Sequence, residues 1–345
     1  MMRIAVTGSK GQVATSLIER AGKGIEVVAL GRPAFDLTDR AAVVARLEAA
    51  HPDVIVNAAA YTAVDKAEAE EAIAIRVNGE GAGHVAEAAA RLGVPLLHLS
   101  TDYVFDGALR RPYREDDPTG PVGAYGRSKL MGERLVAERC ENSVILRTAW
   151  IYSPFGANFV RTMLRLNETR EEVGVVADQV GNPTSALDIA DALLAIAARV
   201  KDDPSPGLRG VFHMTGSGEA TWADFAEAVF REAEARGRRL TRVKRIGAAD
   251  YPTPARRPAN SRLDNEKLRR VYGLALRGRR SRCAASGFFI DCPRPEERPR
   301  RIWKDGPVGV PVRPGASFEA SLARAREAPQ DEERWAAWST SCSAR

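Results

Sequence analysis

An α/β fold, a doubly wound parallel sheet joined to a smaller α+β substrate-binding region, is predicted by three features of the sequence. Apolar runs alternate with helical segments rich in Ala, Glu, Leu and Arg through residues 1–150. A glycine turn, VTGSKG, separates the first apolar run from the first helical segment. Beyond Trp150 the regular alternation gives way to mixed elements. Strands that alternate with helices pair in parallel, because each helix returns the chain to the end from which the next strand starts.

In chain order, the strands of the first region are read in RIAVTG (3–8), EVVAL (26–30), DVIVNAA (53–59), PLLHLS (95–100) and SVILRTAW (143–150). Helical patterns occupy 39–50, 67–92 and 125–140 between them. The second region, 151–276, reads as helix at 157–166, strand at 172–178 (EVGVVAD) and helix at 187–199, then strand at 210–215 (GVFHMT) and a helix opened by Thr221. Some of it is expected to return to the sheet. After Leu276 the periodicity fades into an Arg- and Pro-rich tail, 277–345. Such composition suits disorder, and its abrupt onset also suits a shift of reading frame near the codon for Arg277.

A chain of 345 residues with 44% hydrophobic and 28% charged side chains has ample material for a buried core. The net charge of +6 resides mostly in the tail: 277–345 holds 14 basic and 9 acidic residues, leaving 37 against 36 in 1–276. No basic run suited to nucleic acid is left in the body. No apolar stretch has the length of a membrane span, and no secretory signal precedes RIAVTG, so cytoplasmic placement is expected. The four cysteines, Cys140, Cys283, Cys292 and Cys342, form no CxxC pair, and no metal or redox motif is read from them.

The VTGSKGQVATSL segment (6–17) sets Gly8 and Gly11 at GxxG spacing, with Ala14 where a third glycine is usual. Glycines allow a tight turn and close backbone approach, and the helix that follows offers free N–H groups and a positive dipole to a pyrophosphate. This predicts a dinucleotide site of Rossmann type. At the end of the second strand an acidic residue would select NADH. Gly31 and Arg32 stand there instead, so Arg32 either meets the 2′-phosphate of NADPH or is a solvated surface arginine. NADPH is favoured, with NADH as the alternative. Asp36 and Leu37 suit the adenine side.

Two further segments carry chemistry. AYGRSKLMGE (124–133) places Tyr125 and Lys129 four apart, on one face of a helix. A phenol titrates near 10, and a neighbouring ammonium is expected to draw it towards neutrality. LHLSTDYVFDG (97–107) ends a buried strand on Ser100, Thr101, Asp102 and Tyr103, at the carboxyl edge where open α/β sheets bind ligands. Thr101 can share a substrate oxygen with Tyr125 there.

The glycine turn, YxxxK and a hydroxyl after the fourth strand together resemble the extended branch of the short-chain dehydrogenases. NAAAYTAVDKAE (57–68), VN (77–78), STDYVFDG (100–107), YGRSKLMGE (125–133), ILRTAWIYSPFGANFV (145–160), DQVGNPTSALDIA (178–190) and RRPANSRLDN (256–265) are similar, within it, to the dTDP-4-dehydrorhamnose reductases. The resemblance covers about 1–276. It implies reduction of the C4 ketone of a dTDP-keto-sugar, the last step of dTDP-L-rhamnose synthesis.

The resemblance also implies roles. Gly8, Gly11, Gln12 and Val13 would line the pyrophosphate, Asp36 and Leu37 the adenosine, and Ala59, Ala60, Tyr61 and Ser100 the rest of the dinucleotide. Lys129 would hold the nicotinamide ribose and tune Tyr125, the proton donor, while Thr101 polarises the ketone. Thr62, Val64, Tyr103 and Trp150 would contact the sugar, with Trp150 as plain core the alternative. Asn182 and the arginines of RRPANSR would reach the diphosphate or serve ordinary turn and surface roles. Related 4,6-dehydratases carry Glu where this chain has Tyr103, which disfavours dehydration. Members associated with magnesium hold it through glutamates that ATSL and PTSALD lack here, so no metal is expected. A related reductase or epimerase, and a non-catalytic subunit like the β subunit of methionine adenosyltransferase, are the competing readings. A homodimer is the oligomer considered.

Overall fold

The computed structural model describes residues 1–278. The expectations of a disordered or frame-shifted tail fall almost wholly on residues outside that range. The first region alternates β1 (Met2–Thr7), α1 (Gln12–Arg20), β2 (Ile25–Leu30), α2 (Arg40–Ala50) and β3 (Val54–Asn57). It continues through α3 (Val64–Ala67), α4 (Glu71–Ala74), α5 (Gly81–Leu92), β4 (Leu96–Thr101), α6 (Ala124–Arg139) and β5 (Ser143–Thr148). The second region holds β6 (Ile151–Tyr152), α7 (Phe159–Thr169), β7 (Glu172–Val176), β8 (Val180–Gly181), β9 (Thr184–Ser185) and α8 (Ala186–Asp202). It ends with β10 (Gly210–His213), β11 (Ala220–Thr221), α9 (Trp222–Glu234), β12 (Arg242–Ile246) and α10 (Glu266–Tyr272).

Six strands form one parallel sheet in the order β10-β5-β4-β3-β1-β2. The expected return to the sheet is β10, which lies beside β5 although more than sixty residues of chain separate them. Successive strand residues point to opposite faces, and both faces are covered. Ile4, Val6, Val54, Val56, Leu97 and Leu99 pack with apolar residues of α1 and α8. Ala5, Ile55, Leu96 and Ile145 pack instead with α2, α5 and Val136 of α6. Burial on both faces is why these strands read as continuous apolar runs.

The order reverses between β1 and β3, which opens a crevice beyond their carboxyl ends. Thr7 of β1 closes its floor. Its hydroxyl donates to Asn57 Oδ1 (2.7 Å) and accepts from the amides of Ala58 (3.1 Å) and Ala59 (3.0 Å).

One helical expectation is corrected. Residues 67–92 do not form one helix: the pattern breaks into the end of α3, α4, a π-helical turn at Ile75–Glu80, and α5. The wide turn carries Gly79, whose Cβ would lie 2.9 Å from Met131 Sδ of α6, while a Cβ on Gly132 of α6 would strike the Asn78 carbonyl. Close approach of two backbones, not helix propensity, decides this segment.

The second region builds a separate apolar cluster from α7, α9 and β7, including Met163, Val175, Phe225, Val229 and Phe230. Thr221 opens α9 as expected, through a capping box with Asp224 (2.9 and 3.1 Å). Among the described residues, no helix is long and apolar enough to cross a membrane.

Candidate active site

The glycine turn meets the crevice as its spacing predicts. Gly8 has φ +92°, and a Cβ there would lie 3.2 Å from the Ala59 backbone. Gly11 caps α1 without a side-chain hydrogen bond, so the first-turn N–H groups of Gln12, Val13 and Ala14 lack intrahelical partners. Gln12 Oε1 is buried and has no hydrogen-bond partner among the described residues. The Val13 side chain belongs to the core, which leaves its amide for a ligand. A cradle that a Cβ would fill, a positive helix end and an orphaned buried polar atom fit a dinucleotide pyrophosphate. A Cβ on Gly31 would collide with Ser9 of the turn, so the end of β2 also lies against it.

The adenosine side is mixed. Asp36 accepts from the Thr38 amide (2.9 Å) and hydroxyl (2.8 Å), which hold its carboxyl below the usual range with help from Arg32 and Arg76. Leu37 is buried, with its carbonyl 2.9 Å from His84 Nδ1. Arg32 is exposed at the end of β2. Arg76, which sequence reading passed over, brings a second cation to the same carboxylate. Arg32→Ala is expected to weaken NADPH about tenfold or more while sparing NADH, since a charge-assisted phosphate contact contributes roughly 1.5–3 kcal/mol. Fluorescence titration with both cofactors checks this, and equal losses remove Arg32 from the 2′-phosphate.

Past β3, the loop carrying Ala59, Ala60, Tyr61 and Thr62 is tied to α6 by Asn78. Asn78 accepts from the Tyr61 amide (2.7 Å) and donates to the Tyr61 carbonyl (3.0 Å) and to Ser128 Oγ (2.9 Å). Ser128 in turn donates to the Tyr125 carbonyl (2.8 Å). Tyr61 packs beside Tyr125 on Ala67, Ala74 and Ala124. The VN dipeptide marked this brace, but its role needed the fold. Val64 opens α3 on the same side.

Thr101, Tyr125 and Lys129 converge where β4 ends. Thr101 caps a 3-10 turn at Asp102–Val104, accepting from the Tyr103 amide (3.2 Å) and donating to Asp102 Oδ1 (2.9 Å). The Tyr125 hydroxyl faces Thr101, and its ring meets Tyr103 edge to face, with centroids 5.6 Å apart. A Cβ on Gly126 would overlap the Tyr103 carbonyl, so only glycine lets α6 bring Tyr125 this close. Lys129 is buried and donates to the Leu99 carbonyl (2.7 Å).

The electrostatics correct one expectation. Burial, then the Asp102 charge, push the Tyr125 phenol above its ordinary value. Lys129 donates one hydrogen bond to Leu99, and burial draws its ammonium down to about 8. The phenol is therefore held as a neutral donor, the form a ketone reduction consumes. Burial also pushes Asp102 up to about 7 and Tyr103 up to about 12.

Two more of the expected site residues make hydrogen bonds within the protein. Ser100 points its hydroxyl inward to Glu133 (2.5 Å), which is paired with Arg147 (2.7 and 2.9 Å). That hydroxyl donates its proton into a buried network. Asn182 is an internal brace: it donates to the Gly218 carbonyl (2.6 Å) and accepts from the Leu263 amide (2.8 Å). Arg257 pairs with Asp65 (2.8 and 3.1 Å) and Arg262 with Glu219 (2.8 Å), so these arginines of RRPANSR are engaged within the protein.

Trp150 sits at φ +47°. Its indole stacks on Trp222 (3.5 Å, 4°), and a Cβ on Gly181 would lie 2.5 Å from its ring. Trp222 was missed; its place directly behind the helix-opening Thr221 was the available signal.

This fold and site define a dinucleotide-dependent oxidoreductase of the short-chain dehydrogenase type. A family model described as RmlD substrate binding domain matches residues 2–286, past Leu276, where the resemblance was expected to stop. The chain belongs to this family, that of the dTDP-4-dehydrorhamnose reductases. It is 55% identical over 275 residues to the dTDP-4-dehydrorhamnose reductase of Sinorhizobium fredii, covering 80% of this chain and 93% of that one. Two solved reductases superpose on it. That of Clostridium acetobutylicum has a TM-score of 0.75 at 36% identity, covering 81% of this chain and 96% of that one. That of Bacillus anthracis, in complex with NADP, has a TM-score of 0.78 at 32% identity, covering 84% and 99%.

Proposed function

We propose that the protein reduces the C4 ketone of dTDP-4-dehydro-β-L-rhamnose to dTDP-β-L-rhamnose with NADPH, as the last step of dTDP-L-rhamnose synthesis in the cytoplasm. The observation that carries this reading is the convergence of Tyr125 with Thr101 at the carboxyl edge of the sheet, beside the crevice that fits a dinucleotide. When bound, the reduced nicotinamide supplies the hydride. Tyr125 gives the proton to the C4 oxygen, and Thr101 orients the phenol. Lys129 is placed to hold the ribose, and the first turn of α1 holds the pyrophosphate.

Aromatic groups frame the sugar side. Tyr103 stands across from Tyr125, where a dehydratase needs a carboxylate; with its phenol raised to about 12 it does not ionise to act as a base. One face of Trp150 is covered by Trp222, and Gly181 lies close to its ring, which fixes the indole at the end of β5. Trp222→Ala is expected to raise KM for the keto-sugar about 3- to 10-fold, because a stacked pair contributes roughly 0.5–1.5 kcal/mol beyond its burial. NADPH affinity should be unchanged; a loss there as large as the KM change removes Trp150 from the sugar site.

The function is tested by incubating the protein with the dTDP-keto-sugar and either NADPH or NADH. Nicotinamide oxidation matched by formation of the dTDP-6-deoxyhexose is expected, faster with NADPH. No oxidation with either cofactor overturns the reading.

A further inference from the structure

Thr101 has one hydroxyl proton and two groups competing for it. One is Asp102, whose Oδ1 accepts that proton at 2.9 Å; the other is the phenolic oxygen of Tyr125. The Thr101 oxygen already accepts from the Tyr103 amide, so it takes one more donor. With Asp102 ionised, Thr101 donates to the carboxylate, and the remaining donor is the Tyr125 O–H. The phenolic hydrogen then points at Thr101 and away from a substrate. With Asp102 protonated, its O–H fills that position, Thr101 donates to Tyr125, and the phenolic hydrogen is free for a ketone.

Burial favours the acid form of Asp102, against hydrogen bonds to its carboxyl from Thr101, Ser261 and the amides of Asp102 and Tyr103. Asp102 is 2% exposed, and Oδ2 is buried with no hydrogen bond of good geometry. Tyr103 of its own turn and Tyr125 of α6 are neutral phenols. From the 257–261 segment, the Ser261 hydroxyl faces the carboxyl, while Arg257 is neutralised by Asp65. Lys129 of α6 donates to Leu99. Among the described residues no cation is paired with Asp102, and burial raises its carboxyl to about 7.

We propose that Asp102 is a positioning residue that stores a proton: in its acid form it sets the Asp102–Thr101–Tyr125 chain to donate towards the substrate, and it replaces the proton that Tyr125 gives up. The inference rests on the ketone reduction proposed above. With reduced nicotinamide as hydride donor, the carbon–oxygen π bond breaks and the oxygen forms its new O–H bond with the Tyr125 proton. Tyr125 takes the Thr101 proton, Thr101 takes the Asp102 proton, and Asp102 is left as the carboxylate. Solvent restores its proton between turnovers.

The test is the pH dependence of single-turnover NADPH oxidation with the dTDP-keto-sugar, from pH 5.5 to 9, for wild type, Asp102→Asn and Thr101→Val. Wild-type rates should fall as pH rises through about 7. Asp102→Asn still offers an N–H to Thr101 but has no proton to release, so it should run about tenfold slower at low pH and lose the falling limb. Thr101→Val interrupts the chain and should lose the limb too, which gives a second reading if the asparagine variant folds poorly. Survival of the wild-type limb in either variant overturns the relay while leaving the reductase reading intact. Absence of wild-type turnover at every pH overturns that reading, and the relay with it.

Discussion

Tyr125→Phe lowers turnover with the keto-sugar by about 10²–10⁴-fold, the usual contribution of a positioned general acid, and leaves NADPH affinity within about twofold. The ring still fills its place against Tyr103, Tyr61 and the alanines of α3, α4 and α6. Only the hydroxyl is lost, so neither the fold nor the pyrophosphate cradle is disturbed. The loss belongs in kcat rather than in cofactor binding, because the proton is transferred in the transition state. Steady-state kinetics with a parallel NADPH titration separates the two. A variant that turns over within tenfold of wild type excludes Tyr125 as the proton donor.

Lys129→Met is expected to damage both measurements, with NADPH bound at least tenfold more weakly and turnover reduced about a hundredfold or more. Methionine matches the buried stem of Lys129 and leaves no cavity, but it removes the donor to the Leu99 carbonyl. An unsatisfied carbonyl costs about 1–3 kcal/mol, so thermal melting must accompany the kinetics. The sign of the pH dependence also follows. Burial draws the Lys129 ammonium down to about 8, and a ribose contact requires the charged form. Wild-type NADPH affinity should therefore fall as pH rises through about 8, and the methionine variant should show no such fall. Equal affinities for the two proteins at pH 7 exclude Lys129 as the ribose anchor.

Much of the site was legible because its signals are local. Gly8 and Gly11 work within one βα turn, and Tyr125 and Lys129 share a helix face through a four-residue spacing. The first five strands announce themselves as apolar runs because helices cover both faces of the sheet. Other features depend on which groups meet across the chain. The return of β10 to β5, the Trp150–Trp222 stack and the break of 67–92 around Gly79 are decided by neighbours far away in sequence. Hydrogen-bond partners are the extreme case. Asn182 and Ser100 carried polar groups suited to a ligand, but the Leu263 amide and Glu133 claim them first. Asp102 looked like any acid after a strand until burial deprived it of water and of a paired cation. Residue type and spacing specify what chemistry a side chain can perform; the partner that occupies it, and the charge it bears, follow from desolvation and distance in the folded chain.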